Sequence, residues 1–210
     1  MTPSNPVIHV VDDDASFRTA VVRLLSASGY EVRGYPNAGE FLLAKRGSSP
    51  GCVVLDVRMP GPSGLDLQAG LGERGDALPI IFLTGHGDIP MSVIAMKAGA
   101  VDFLTKPVDK GALLAAVRNA LARDAEDRAS RDRARELHSR YETLTPRERA
   151  VLALVVAGRL NKQVGTELGV SERTVKAHRA QVMEKLHAKT LAELVKIAEQ
   201  LRLRPLGTSD

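Results

Sequence analysis

The first 122 residues alternate short apolar runs with segments of helical period, and this alternation is the strongest constraint on the fold. The apolar runs are 7–11, 53–55, 80–83 and 101–104, with a weaker one near 31–34. Between them lie helix-period segments near 15–28, 37–46, 64–72, 88–98 and 109–122. Strands that alternate with helices are joined by crossovers, which makes the sheet parallel and covers both of its faces. The pattern therefore predicts an α/β domain over 1–122, a doubly wound five-stranded parallel sheet. Local punctuation agrees. Asn37 followed by Glu40 makes a capping-box pattern, Ser63 and Asp109 can cap the helices after them, and Gly29 and Gly99 suit helix ends.

The character of the chain changes at residue 123. Over 123–140 Arg, Asp, Glu and Ala dominate, and large apolar residues nearly vanish. Asp124–Arg128, Asp127–Arg131 and Glu136–Arg140 are acid-before-base pairs four apart, which support a helix. A charged helical linker continuing the fifth helix is expected; helical throughout, 109–140 would span about 48 Å. A disordered tether is the other reading of such a composition. From Thr145 no strand signal appears. Thr145-Pro146-Arg147-Glu148 combines an N-cap, Pro at the first helical position and Glu at the third. Asn161, Ser171 and Thr190 read as further N-caps. An all-α domain over 141–205 is expected, with four short helices near 146–157, 161–168, 172–187 and 191–201.

Aromatic residues make up 3% of the chain and Trp is absent, so the cores must be aliphatic. The one cysteine, Cys52, precludes an intrachain disulfide and points to a reducing compartment. The N-terminus lacks a basic segment followed by a long apolar run, and no stretch reaches membrane-spanning length. A cytoplasmic protein without a membrane partner is expected. Net charge is unevenly placed. Residues 1–122 carry 11 basic and 12 acidic side chains, 123–140 carry 6 and 5, and 141–210 carry 12 and 8. The whole excess of +4 thus lies in the C-terminal part, which suits an anionic partner such as DNA but proves nothing alone.

Ligands of open α/β sheets bind at the carboxyl ends of the strands. Asp12 and Asp13 follow the first run, Asp56 the second, Thr84 ends 80–83, and Lys106 follows 101–104. Crowded carboxylates repel unless a hard cation with oxygen ligands joins them, and a few carboxylates plus waters and a phosphate is the Mg²⁺ mode. A carboxylate is also a usable nucleophile toward a phosphoryl group. An ammonium and a hydroxyl can hold the equatorial oxygens during transfer. Singly, each residue has a plain structural reading as a helix cap, a surface lysine or a turn residue; their joint placement argues for chemistry.

Val10-Val11-Asp12-Asp13-Asp14, Leu55-Asp56-Val57-Arg58-Met59-Pro60, Thr84-Gly85-His86-Gly87-Asp88 and Lys106-Pro107 together resemble a response-regulator receiver domain. Residues 85–107 are especially similar to the FixJ branch of the NarL/FixJ family, and the resemblance covers 5–122. It implies that Asp56 is the phosphoacceptor, that Asp13 binds Mg²⁺ directly, and that Asp12 acts mainly through metal-bound water. The backbone carbonyl of Arg58 would complete the protein ligands. Lys106 would contact the phosphoryl group, with its bond to Pro107 cis. Thr84 and Phe103 would couple phosphorylation to the surface, although Phe103 also reads as plain core packing. His86 reads as a loop residue and Cys52 as a small apolar residue at a strand start.

In the helix after Ser171, Val175, Val182 and Leu186 fall within about 20° of one another at about 100° per residue, forming a buried stripe. Arg173, Lys176, Ala177, Ala180 and Gln181 take the exposed side. Small and cationic side chains suit close approach to a duplex. The pattern alone favours a solvated amphipathic helix. The run Leu144-Thr145-Pro146-Arg147-Glu148, Gly158-Arg159-Leu160-Asn161-Lys162 and Val170-Ser171-Glu172-Arg173-Thr174-Val175-Lys176-Ala177-His178-Arg179 resembles a LuxR-type helix-turn-helix domain over 141–203. That resemblance implies base contacts near Lys176 and Ala177, and phosphate contacts near Thr174 and Arg179. Gly165 departs from the family, where Ala is usual, and is expected to loosen its helix by about 1 kcal/mol.

Together the resemblances imply a two-component regulator rather than an enzyme. A sensor histidine kinase would phosphorylate Asp56, a homodimer would form, and the C-terminal domains would bind double-stranded DNA and work with RNA polymerase. A constitutive DNA binder with an idle receiver is disfavoured by the intact set Asp12, Asp13, Asp56, Thr84 and Lys106. A Mg²⁺-dependent phosphohydrolase using Asp56 is disfavoured because Arg58 leaves no second acid two positions on.

Overall fold

The computed structural model describes residues 5–44, 49–73, 78–85 and 89–203. The chain divides into two compact units, Met1–Arg128 and Ala129–Asp210. The first contains β1 (Val7–Val11), α1 (Ala15–Ala27), β2 (Glu31–Tyr35), α2 (Ala38–Leu43), β3 (Gly51–Asp56), α3 (Gly64–Glu73), β4 (Ile80–Thr84), α4 (Ile89–Lys97) and β5 (Asp102–Thr105). The long helix α5 (Lys110–Glu142) begins there and is continuous through the charged segment 123–140.

The five strands form one parallel sheet in the order β2-β1-β3-β4-β5. Its three central strands are buried along their whole length, which is why they read as unbroken apolar runs rather than alternating ones. Val11, Val53, Leu55 and Phe82 pack with Ala38 and Phe41 of α2, Leu67 and Leu71 of α3, and Ala95 of α4. Ile8, Val10, Val54, Ile81 and Leu83 pack on the opposite face with Val21 and Leu25 of α1 and Leu113, Val117 and Ala120 of α5.

Helix ends follow the local chemistry. Asp14 caps α1 by accepting from the Ser16 and Phe17 amides, and Asn37 caps α2 by accepting from Glu40. Ser63 and Asp66 exchange hydrogen bonds at the start of α3, and Asp109 accepts from Ala112 at the start of α5. Gly29 and Gly99 adopt φ of +92° and +91°, the left-handed conformation that terminates α1 and α4. Helix α2 is shorter than the expected 37–46, ending at Leu43 with Ala44 already extended.

The pair Asp124–Arg128 is more than a surface support for the helix. Asp124 is 1% exposed and accepts from the Gly51 amide at 2.9 Å and from Arg128 Nε at 2.7 Å. Arg128 also donates to the Ser49 carbonyl at 2.7 Å. The root of the charged segment is thereby pinned to the start of β3.

The second unit holds the last part of α5 with α6 (Pro146–Val156), α7 (Asn161–Leu168), α8 (Glu172–Lys185) and α9 (Leu191–Gln200). Their core is aliphatic, built on Leu152, Leu154, Val164, Val175, Val182, Leu186 and Leu194. Thr145 and Glu148 form the capping box of α6, and Thr190 caps α9. Asn161 is not a cap. It is the first helical residue of α7, with Leu160 in the cap position and the Gln163 side chain accepting from the Leu160 amide at 2.8 Å. Among the described residues, no helix is long and apolar enough to cross a membrane.

Candidate functional site

Strand β2 pairs on one side of β1 and β3 on the other, so the crossover leaving β1 and the one leaving β3 run in opposite directions and open a crevice at the carboxyl ends of β1 and β3. The crevice holds the acidic residues. Carboxylate oxygens of Asp12, Asp13 and Asp56 all lie within 4.8 Å of one another. Asp12 and Asp56 are 1% and 7% exposed, whereas Asp13 faces solvent. Lys106, at the end of β5, reaches across to join them. Its Nζ lies 2.6 Å from Asp12 Oδ2 and 2.7 Å from Asp56 Oδ2.

The backbone places these groups. The Asp14 amide donates to Asp12 Oδ1 at 3.0 Å and the Arg58 amide to Asp56 Oδ1 at 3.1 Å. The Lys106 amide donates to the Thr84 carbonyl at 2.7 Å, which brings the ends of β4 and β5 together, and the Lys106–Pro107 bond is cis. Thr84 is fully buried at the end of β4. Phe103 is half-buried in β5 with its ring 6.1 Å from Phe82. His86 lies outside the described residues.

Burial and opposite charge act against each other at Asp12 and Lys106. Burial pushes the Asp12 carboxyl above its ordinary 3.8, even against the attraction of Lys106. Burial also works against the Lys106 ammonium, but its bonds to Asp12 and Asp56 outweigh that and hold it above its ordinary 10.5. Three hard oxygen donors, of which Asp12 and Asp56 share the Lys106 ammonium while Asp13 stands on the open side, fit a divalent cation that prefers oxygen ligands. At the opposite end of β3, Cys52 is fully buried, and burial with the adjacent Asp124 charge pushes its thiol up to about 12. It is inert at neutral pH.

Gly64 is a site residue that sequence reasoning missed. A Cβ there would sit 2.3 Å from the Asp56 carbonyl oxygen and 3.1 Å from the Phe82 ring. Only a residue without a side chain lets the first turn of α3 close against the backbone of Asp56. Phe17 was missed as well; its ring centroid lies 4.3 Å from Lys106 Nζ.

In the helical unit, Gly169 at φ +66° ends α7, and Ser171 starts α8 by accepting from the Thr174 amide. The stripe Val175, Val182 and Leu186 is buried at 1% exposure or less. Arg173, Lys176, Ala177, Ala180 and Gln181 are exposed, and Thr174 and Arg179 are half-buried. Lys176 pairs with Glu172 at 3.2 Å, and Arg179 reaches Asn161 of α7 at 3.4 Å. A Cβ on Gly165 would lie 2.7 Å from the Val170 carbonyl oxygen. Gly165 therefore serves the tight approach of the turn to α7, a benefit that the expected loosening left out.

Residues 8–118 match the family described as response regulator receiver domain, and residues 142–198 match bacterial regulatory proteins of the luxR family. The chain belongs to the response regulators. This response regulator is 48% identical over 195 residues to nodulation protein W of Bradyrhizobium diazoefficiens, spanning 93% of the chain and 86% of that protein. It is 46% identical over 196 residues to the transcriptional regulatory protein FixJ of Azorhizobium caulinodans, spanning 93% of each. Among solved structures, the response regulator StyR superposes with a TM-score of 0.81 at 46% identity, covering 94% of this chain and all of that one. Full-length FixJ from B. japonicum gives 0.57 at 40% identity, covering 97% and 100%. This response regulator is thus a transcriptional regulator rather than an enzyme. A receiver domain implies a histidine kinase partner, and a LuxR-type domain implies DNA.

Proposed function

We propose that Asp56 is the phosphoacceptor of a Mg²⁺-dependent switch, and that its phosphorylation drives homodimerisation and operator binding by the C-terminal unit. The observation that carries this reading is Lys106, whose ammonium bridges Asp12 and Asp56 at 2.6 and 2.7 Å beside the exposed Asp13. Such a bridge holds a cation where a transferred phosphoryl group would bring negative charge. Asp12, Asp13, Asp56 and the Arg58 carbonyl would hold Mg²⁺, which when bound spreads charge off the phosphoryl oxygens.

The chain's own residues supply the rest. An Asp56 carboxylate oxygen attacks the phosphorus of the kinase's phosphohistidine; the new P–O bond forms as the P–N bond breaks, and the imidazole leaves with the electron pair. Lys106 then exchanges its Asp56 contact for a phosphoryl oxygen. The Thr84 hydroxyl takes a second oxygen, and Phe103 follows the space that Thr84 vacates. Helix α4 exposes Val93, Ile94 and Met96 at 43, 56 and 46%, an apolar surface suited to pairing two receivers. In the C-terminal unit Arg173, Lys176, Ala177 and Ala180 face the major groove, while Thr174 and Arg179 reach phosphates. Dimer contacts through α9, where Leu191 is 42% exposed, would space two half-sites. Work at a promoter makes RNA polymerase a partner and the cytoplasm the place of action. Domain limits of 1–122, 123–140 and 141–205 suit this division of labour.

The test is DNA affinity and oligomeric state with Mg²⁺ and beryllofluoride, a phosphoryl mimic. Both should rise in the wild type and stay flat in Asp56→Asn. Unchanged dimerisation and affinity in the wild type would sink the switch.

A further inference from the structure

The geometry points to Phe17 as a positioning residue for Lys106, its ring holding the ammonium within the acidic pocket while the ammonium exchanges Asp56 for an incoming phosphoryl oxygen. This rests on the assignment of Asp56 as phosphoacceptor made above. An ammonium has three N–H groups and no acceptor. Two of those on Lys106 are directed at Asp12 and Asp56, at 2.6 and 2.7 Å. The Phe17 ring stands at a third side, with its centroid 4.3 Å from Nζ, inside the range over which an aromatic face attracts a cation.

The ring is held there by the pocket itself. The Asp14 amide donates to Asp12 Oδ1 at 3.0 Å, and the Asp14 carboxylate accepts from the Phe17 amide at 3.1 Å. Arg18, the next residue of α1, donates to the Asp12 carbonyl at 2.5 Å. Asp12, Asp14, Phe17 and Lys106 thus form a closed circuit, in which the acid contacting the lysine also fixes the helix turn that carries the ring.

The chemistry explains why a ring suits this position. During transfer Lys106 must release one anionic partner and take another. A carboxylate on its third side would compete with the phosphoryl group. An aliphatic side chain would exclude water but offer the charge nothing. An aromatic face attracts the ammonium without accepting a directed hydrogen bond, so it retains the lysine and leaves its N–H groups for oxygens.

The test uses the full chain with Phe17→Leu, Phe17→Met and Phe17→Tyr. In metal-free protein, the Lys106 ε-methylene protons should resonate upfield in the wild type and Phe17→Tyr, and return to ordinary values in both ringless variants. With Mg²⁺ and acetyl phosphate, Phe17→Leu and Phe17→Met should lower the maximal phosphorylation rate by about 3- to 10-fold, as loss of a partly desolvated cation–π contact predicts. The half-saturating donor concentration should stay within about twofold, and Phe17→Tyr should restore the rate. Ringless variants phosphorylated at the wild-type rate overturn the proposal. So does a Phe17→Tyr protein as slow as Phe17→Leu, since that marks a role in packing alone. Wild-type protein that takes up no phosphoryl group, with the upfield protons in place, instead overturns the Asp56 assignment and removes this proposal with it.

Discussion

Replacing Asp124 by Ala deletes a carboxylate that is 1% exposed and that accepts from the Gly51 amide and from Arg128 Nε. Two losses follow. The Gly51 N–H is left buried without its acceptor, which costs about 1–3 kcal/mol. The Arg128 guanidinium loses its counter-charge, and breaking a buried pair costs about 3–5 kcal/mol. That second figure must be discounted, because the Arg128 side chain is 27% exposed and keeps its bond to the Ser49 carbonyl. A smaller gain opposes both. Among the described residues Asp124 Oδ1 is buried without a hydrogen-bond partner, so its removal relieves a desolvation cost. We predict a net loss of about 2–3 kcal/mol, or a fall of about 6–15 °C in the melting midpoint of the receiver unit. Scanning calorimetry of the wild type, Asp124→Ala, Arg128→Leu and the double variant would measure it. The two single changes should be strongly non-additive, and Asp124→Leu with Arg128→Leu should be more stable than either alone, because well-packed apolar residues can replace a buried ion pair. An Asp124→Ala protein melting within about 1 °C of the wild type would refute the argument.

Three further outcomes are expected. Lys176→Ala should leave stability within about 0.5 kcal/mol, since its pair with Glu172 is exposed, yet cost about 1–3 kcal/mol in operator binding; retained sequence-specific binding would remove Lys176 from the recognition surface. Gly64→Ala should destabilise the receiver unit by about 1–3 kcal/mol and slow phosphorylation, because the added methyl meets the Asp56 carbonyl; denaturant midpoints identical to the wild type would count against that contact. For Glu148, burial pushes the carboxyl up, but Lys185 at 2.7 Å and the Thr145 amide at 2.8 Å hold it below its ordinary 4.5. A depressed folded value means that stability is present above the unfolded value and is lost as pH falls through the folded one. Below pH 4.5 the helical unit should therefore weaken more steeply in the wild type than in Glu148→Gln, and equal acid slopes would contradict this.

The central strands were legible because burial on both faces leaves an unbroken apolar run, and strand ends mark the crevice of an open parallel sheet. Asp12, Asp13, Asp56 and Lys106 could thus be brought together from their order alone. What pins them could not. Asp124 and Arg128 satisfy the four-residue spacing of an exposed helix pair, and nothing in that spacing tells that Gly51 will dock on the carboxylate. Phe17 reads as one more apolar position of α1, because the partner of its ring lies 89 residues away. Asn161 has the chemistry of a cap but follows Leu160, whose amide Gln163 already satisfies, so Leu160 rather than Asn161 takes the cap position. Gly165 illustrates the limit of propensity: the helix loses stiffness there, but the Val170 carbonyl occupies the space of the missing methyl. For α8 the amphipathic pattern gave the buried stripe and left the purpose of the exposed face open.

The burial of Cys52 has a practical consequence. It is the chain's one thiol, it is sealed within β3, and burial with the Asp124 charge keeps it protonated at neutral pH. A thiol reagent can reach it only when the receiver unit opens, so its labelling rate is a clock for that opening. The helical unit carries no cysteine and is silent in the same experiment. Labelling of the unaltered chain would therefore time one unit's excursions against the background of the other. A single cysteine placed on the surface could be tagged without first removing the native one.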